Sequence, residues 1–150
     1  MIRNNRIKAA VAAITIAGAT ATAMLIPSSP AVAFSSGGLV LDIVVQTPAH
    51  LVANGAAIAV PIDYTCFGTS FPPQVVVSVT EHVGNGIASG SAVLNNVNCT
   101  GEIQSITVDV AASPGGKAFA KGNAFAAGSI FGCASTCGQE NDNVTIAIRR

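Results

Sequence analysis

The chain reads as an antiparallel, immunoglobulin-like β-sandwich of about seven strands, all of them after residue 33. Three observations predict this. Beyond Ala33 the apolar residues recur at every second position rather than at helical spacing. The runs are carried by Val, Ile and Thr, whose branched side chains suit a pleated surface. Clusters of Gly, Pro and Asn separate the runs, with no convincing helix between them. A small closed barrel is the competing arrangement.

The first residues are of a different kind. Arg3, Arg6 and Lys8 precede an apolar run from Ala9 to Ile26, and Ala31-Val32-Ala33 follows as a small-x-small motif. That order is the one found in a secretory signal, with cleavage after Ala33 and Phe34 as the first mature residue. The alternative, a retained membrane anchor, suits the length of the run, but its Ala, Thr and Gly content makes it weakly hydrophobic. Residues 34–150 would then form a single β-sandwich domain.

The first strand is read at Leu39 to Gln46, with Leu39, Leu41, Ile43 and Val45 on one face. Asn54-Gly55 turns the chain, because both residues tolerate positive φ. Ile58, Val60, Ile62, Tyr64 and Cys66 form the inner row of the second strand. Pro61 has no N–H to give a ladder, so it is expected at an edge or a bulge. After the loop Gly68 to Pro73 comes the β-branched strand Gln74 to Thr80, then a hairpin at Gly84-Asn85-Gly86 and a strand from Ile87 to Leu94. Ile103 to Val110 is the fifth strand, broken by Ser113-Pro114-Gly115-Gly116. The sixth is read at Lys117 to Ala127, which places Phe119 and Phe125 on one side, and the last at Asn143 to Ile148.

Loss of the leader would leave four basic residues against seven acidic ones, a net charge of −3. No basic patch remains, which argues against nucleic acid or an anionic membrane surface as partner. The core is built from Val, Ile and Ala, with no Trp and one Tyr. Small side chains bury less area each, and disulfides are a common supplement in exported domains of this size.

Cys66, Cys99, Cys133 and Cys137 all lie after the leader, and four cysteines permit three pairings. The preferred set is Cys66 with Cys99 and Cys133 with Cys137. The second pair is close in any compact conformation, and Gly132 and Gly138 let the backbone bend around the ring. Chain entropy assigns about 3.5–4 kcal/mol to the longer loop and about 2 kcal/mol to the short one. A zinc site is disfavoured because there is one C-x-x-x-C and no partner pair, with His50 and His82 distant in sequence.

No catalytic constellation stands out, and no cofactor or metal is expected. Glu81 and His82 are adjacent in a strand, so they point to opposite faces and read as a solvated strand end. His50 reads as a surface residue of a turn-like segment. Neither G-x-S-x-G, S-x-x-K nor a phosphate loop occurs. Asn98-Cys99-Thr100 and Asn143-Val144-Thr145 are sequons that matter only in a eukaryotic secretory pathway. The candidate binding surface is therefore drawn from loops. Phe67 and Phe71 bracket Gly68-Thr69-Ser70, and Pro72-Pro73 stiffens the exit, so an exposed Phe71 would lose little entropy on binding. The opposing expectation, favoured by the general burial of Phe, is that Phe71 folds back as a cap on the core. Ala134, Ser135 and Thr136, inside the Cys133 to Cys137 ring, form the second candidate surface.

The order Tyr64-x-Cys66-x-Gly68, Val75 to Val79, Cys99-x-Gly101, Pro114-Gly115 and Val144-Thr145-Ile146 resembles an uncharacterised family of small exported actinobacterial proteins. That resemblance implies one immunoglobulin-like domain behind a signal peptide and brings no activity with it. The Cys133 to Cys137 ring is also similar to the short disulfide loop of neocarzinostatin-type chromophore carriers. Their other bridge closes a short loop, whereas Cys66 and Cys99 are far apart, so no ligand residue carries over.

These readings lead to a secreted, non-enzymatic protein that binds a protein or small-molecule partner, at the cell surface or in the medium. Two rival expectations stand beside it. One is a small-molecule carrier with an apolar cleft lined by Phe119, Phe125 and Phe131. The other is a protease inhibitor presenting the braced loop Ala134-Ser135-Thr136.

Overall fold

The computed structural model describes residues 38–150, and the proposed leader and its cleavage site lie outside them. Eight strands appear: β1 Val40–Val45, β2 Ala49–Val52, β3 Ala57–Phe67, β4 Gln74–Val83, β5 Gly86–Leu94, β6 Gln104–Ala111, β7 Gly122–Cys133 and β8 Cys137–Arg149. A 3-10 turn, Ala53–Gly55, joins β2 to β3 through left-handed Asn54. Among the described residues there is no helix long and apolar enough to cross a membrane.

The fold is an all-β, immunoglobulin-like sandwich. β3 is central to one layer, with β6 antiparallel on one side and β1 and β2 along the other. The second layer runs β5-β4-β7-β8 through antiparallel pairs. β2 also pairs in parallel with the end of β8, which folds the continuous sheet into two layers at that edge. β1 and β2 pair with successive parts of β3 and are one strand interrupted at the cis Thr47–Pro48 bond. Counted so, the strands number seven, as the sequence predicts.

Pro61 explains that interruption. It lies inside β3, and its carbonyl accepts a hydrogen bond from the Gln46 N–H at 2.9 Å on the β1 side. Within a strand a residue's nitrogen and carbonyl face the same edge, so the missing donor of Pro61 faces the gap between β1 and β2. Pro61 thus lies in a central strand, at neither the edge nor the bulge that the sequence predicts, and its missing donor is accommodated by the break in the partner strand.

Ile58, Val60, Ile62, Tyr64 and Cys66 form the buried row of β3, facing Val75, Val77 and Val79 of β4 and Ile146 and Ile148 of β8 across the core. Two glycines set the spacing between layers. A Cβ on Gly128 would stand 2.8 Å from Val45 Cγ2 and 3.3 Å from Ile43 Cδ1, so β7 offers a flat floor to the bulky side chains of β1. A Cβ on Gly90 would collide with the Ala111 carbonyl, so β5 closes directly on β6 at the far edge.

Three strand readings are corrected. Lys117 to Lys121 is not strand; it folds across the end of the sandwich, with the Lys117 N–H on the Ile87 carbonyl (3.2 Å) and the Phe119 N–H on the Gly55 carbonyl (2.9 Å). Phe119 is therefore a buried plug, while Phe125 points outward from β7, and the two do not share a side. β8 begins six residues before Asn143, because Gln139 to Asp142 pair with Phe131 to Gly128 despite their polar character. His50 belongs to β2 and is exposed, a surface position on a strand rather than in a turn.

Candidate functional site

Both candidate loops meet at one end of the sandwich. The β3–β4 loop leaves Phe67, turns at Gly68 and enters β4 after Pro73. The Ser70 N–H donates to the Cys133 carbonyl at 2.7 Å, which fastens this loop to the disulfide ring at the tip of the β7–β8 hairpin. The Val97 N–H donates to the Pro73 carbonyl (3.3 Å) and the Gly101 N–H to the Cys66 carbonyl (3.0 Å), which draws in the β5–β6 connection. Three connections that are remote in sequence thus form one surface.

The covalent framework matches the preferred pairing. Cys66 bonds Cys99 across 33 positions, and Cys133 bonds Cys137 across four. Cys66 sits at the end of the buried β3 row, so the first bridge anchors the β5–β6 connection to the core. Beside it, the Tyr64 hydroxyl donates to the Asn98 carbonyl at 3.0 Å. Burial pushes the Tyr64 phenol above its ordinary pKa. Asn98 is exposed and its carbonyl fixes the turn beside the bridge. In the ring, the Ala134 N–H donates to the Thr136 carbonyl (2.8 Å), leaving Ser135 and Thr136 exposed.

Phe71 is 71 % exposed, which corrects the expectation that it caps the core. Pro73, two residues on, is the side chain of this loop that is fully buried. The Ser70 tie holds the preceding backbone outward, so the ring of Phe71 stands between two open hollows. One, of about 300 Å³, is bounded by Phe71, Pro72, Gln74, Asn95 and Phe131. The other, of about 360 Å³, is bounded by Thr69, Phe71, Asn96, Val97 and Asn98. Asn96 adopts φ 60°, a left-handed conformation that Asn tolerates, and touches both.

Phe67 is placed differently from Phe71. It ends β3 on the outer face of the first layer, where a Cβ on Gly101 would come within 3.3 Å of its ring, and it borders neither hollow. Phe71 shares a hollow with Cys133 at the base of the ring, which puts both candidate loops at one end; Ala134, Ser135 and Thr136 border neither hollow, and nor does Phe67. Phe119, Phe125 and Phe131 line no common cleft, since Phe119 is buried at the opposite end and the others project from the outer face of β7.

Glu81 corrects another reading. His82 is exposed, but Glu81 is only 3 % exposed in the inward row of β4, and its carboxylate accepts the Ala120 N–H at 2.8 Å. Closure of the Lys117 to Lys121 segment over the strand end, invisible to strand periodicity, is what buries it. A further hollow, of about 600 Å³, lies at this opposite end beside Phe119, Lys121 and Arg150. Among the described residues no group of three or more His, Cys, Asp or Glu is arranged to hold a metal ion.

Comparison of the chain with protein-family models, with curated proteins and with solved structures returns no match. Fold and surface chemistry are therefore the basis for a functional reading.

Proposed function

We propose that this is an exported, non-enzymatic β-sandwich that acts by binding a partner at the end of the molecule formed by the β3–β4 loop and the disulfide ring. The observation that carries the reading is the Ser70 to Cys133 tie, which sets an exposed Phe71 beside a braced hairpin and between two hollows. An aromatic side chain on a loop already fixed in place contributes contact area with little ordering cost. Rigid loops at the end of a sandwich are a common place for recognition. All four cysteines are bridged, which supports an oxidising compartment as the working environment.

The test compares the wild-type protein with Phe71→Ala as immobilised baits for the surface and medium of the producing cells. Phe71→Ala is expected to keep the wild-type urea midpoint, because the ring is exposed, and to lose the retained partner. Equal retention by both baits would refute the reading. Slow cleavage within Ala134-Ser135-Thr136 by a subtilisin-like protease, with inhibition of that protease, would replace it with the inhibitor reading.

A further inference from the structure

The outer face of the β5-β4-β7-β8 layer is chemically unlike the other surfaces. Between the row that joins Ile87, His82, Asn123 and Ala147 and the row that joins Gln74, Phe131 and Gln139, the register places no Asp, Glu, Lys or Arg outward. The outer face of the other layer carries Asp42, Asp63 and Asp109. Four strands about 4.8 Å apart and about nine residues long at roughly 3.3 Å each make an uncharged face of about 19 by 30 Å.

Two aromatic rings stand on this face in matching surroundings. Phe125, 53 % exposed, lies between Thr80 of β4 and Thr145 of β8. Phe131, 45 % exposed, lies between Gln74 of β4 and Gln139 of β8. Opposed positions in adjacent strands put Cβ atoms about 5 Å apart, so each ring is flanked on both sides by a group that both donates and accepts hydrogen bonds. The two rings are six residues apart on β7, or about 20 Å. Ser78, Ser129, Asn141 and Asn143 occupy positions between them.

We propose that this face binds a neutral polysaccharide chain laid along β7, with sugar rings stacked on Phe125 and Phe131. The C–H face of a pyranose matches the negative face of an aromatic ring, and its equatorial hydroxyls reach the flanking Thr and Gln side chains. A charged polymer would find no counter-charge here. A second copy of the chain suits the face less well, because protein interfaces have an apolar centre depleted in Ser, whereas here Ser78, Ala127, Ser129 and Asn143 share the middle with half-buried Val76, and the exposed Val93 and Ile87 stand on the edge strand β5. The site meets the Phe71 end at Gln74 and Phe131, which also border one of the hollows there, while Phe125 with Thr80 and Thr145 lies about 20 Å away along β7.

The test is affinity electrophoresis of the folded protein in gels containing hydroxyethylcellulose, soluble starch, xylan or glycol chitin, with polygalacturonate as a charged control. At least one neutral polymer is expected to retard the protein. Phe125→Ala should weaken that binding roughly tenfold, Thr145→Val should weaken it with the fold unchanged, and Asp109→Asn, on the outer face of the other layer, should leave it intact. The proposal is overturned if no neutral polymer retards the protein or if Phe125→Ala migrates as the wild type does. A dimer in sedimentation that Phe125→Ala dissociates, without retardation by any polymer, overturns it in favour of a second copy.

Discussion

Removal of the Cys66–Cys99 bridge, as Cys66→Ala with Cys99→Ala, should be the most destabilising change to the covalent framework. The bridge closes a loop of 33 positions. In the chain-entropy model this restricts the unfolded chain by about 12.5 cal/mol/K, or about 3.7 kcal/mol at 25 °C. Loss of the sulfur of Cys66, buried in the core cluster, adds on the order of 1 kcal/mol of packing. The same arithmetic for the Cys133–Cys137 ring, with a separation of four, gives about 1.9 kcal/mol. Cys133 and Cys137 are also paired across the β7–β8 ladder, so the hairpin holds them together without the bond. The assay is equilibrium urea unfolding of the wild type and of each double variant. With a slope of about 1.5 kcal/mol/M, the midpoint should fall by roughly 2.5–3 M for the long bridge and by roughly 1.2 M for the ring. A ring variant that loses as much as the long-bridge variant would refute the argument that the first bridge ties the core and the second braces a loop.

Three further changes test the packing around the site. Gly128→Ala should cost about 1–3 kcal/mol in urea unfolding, because the added methyl meets Val45 and Ile43 of the facing layer; a cost near zero would mean that the layers are less closely set. Glu81→Ala strips the Ala120 N–H of its acceptor and should raise hydrogen exchange at Ala120, with a loss of about 1–3 kcal/mol, whereas Glu81→Gln should keep most of the protection. Tyr64 has a folded-state pKa raised by burial, so the stability it contributes is full below the unfolded value of about 10 and is lost as pH rises through the folded value. Stability of the wild type should therefore fall above about pH 10 more steeply than that of Tyr64→Phe. Tyrosinate absorbance reports this residue alone, since the chain has one Tyr and no Trp; ionisation at the unfolded value in the native protein would contradict the placement.

What the sequence made legible was the part of the fold whose side chains are large and alternate. Ile58 to Cys66 and Val75 to Val79 announce buried rows because branched residues recur at every second position. β7 and the first half of β8 are muted for a physical reason. Their inner row holds Ala124, Ala126 and Gly128 because Ile43 and Val45 supply the bulk from the other layer, and Gln139 to Asn143 are polar at the border of the sheet. Phe119 and Phe125 sit at even spacing, yet spacing has meaning only inside one strand, and the segment holding Phe119 is pinned by Gly55 instead. The disulfide pairing was readable, since proximity in sequence marks one pair. The outward stance of Phe71 was not, because it depends on the contact between Ser70 and Cys133. The uncharged face with its two rings required the register across three strands, which periodicity along one strand does not supply.

We propose above that a partner binds at the end carrying Phe71 and the disulfide ring. Site-specific photo-crosslinking tests it most directly, with a photoreactive phenylalanine analogue placed in turn at Phe71, Ser135 and, on the acidic outer face, Asp109. The same partner should be captured from positions 71 and 135 and not from position 109. Capture from position 109 alone, or from none of the three in the presence of the producing cells and their medium, would contradict it.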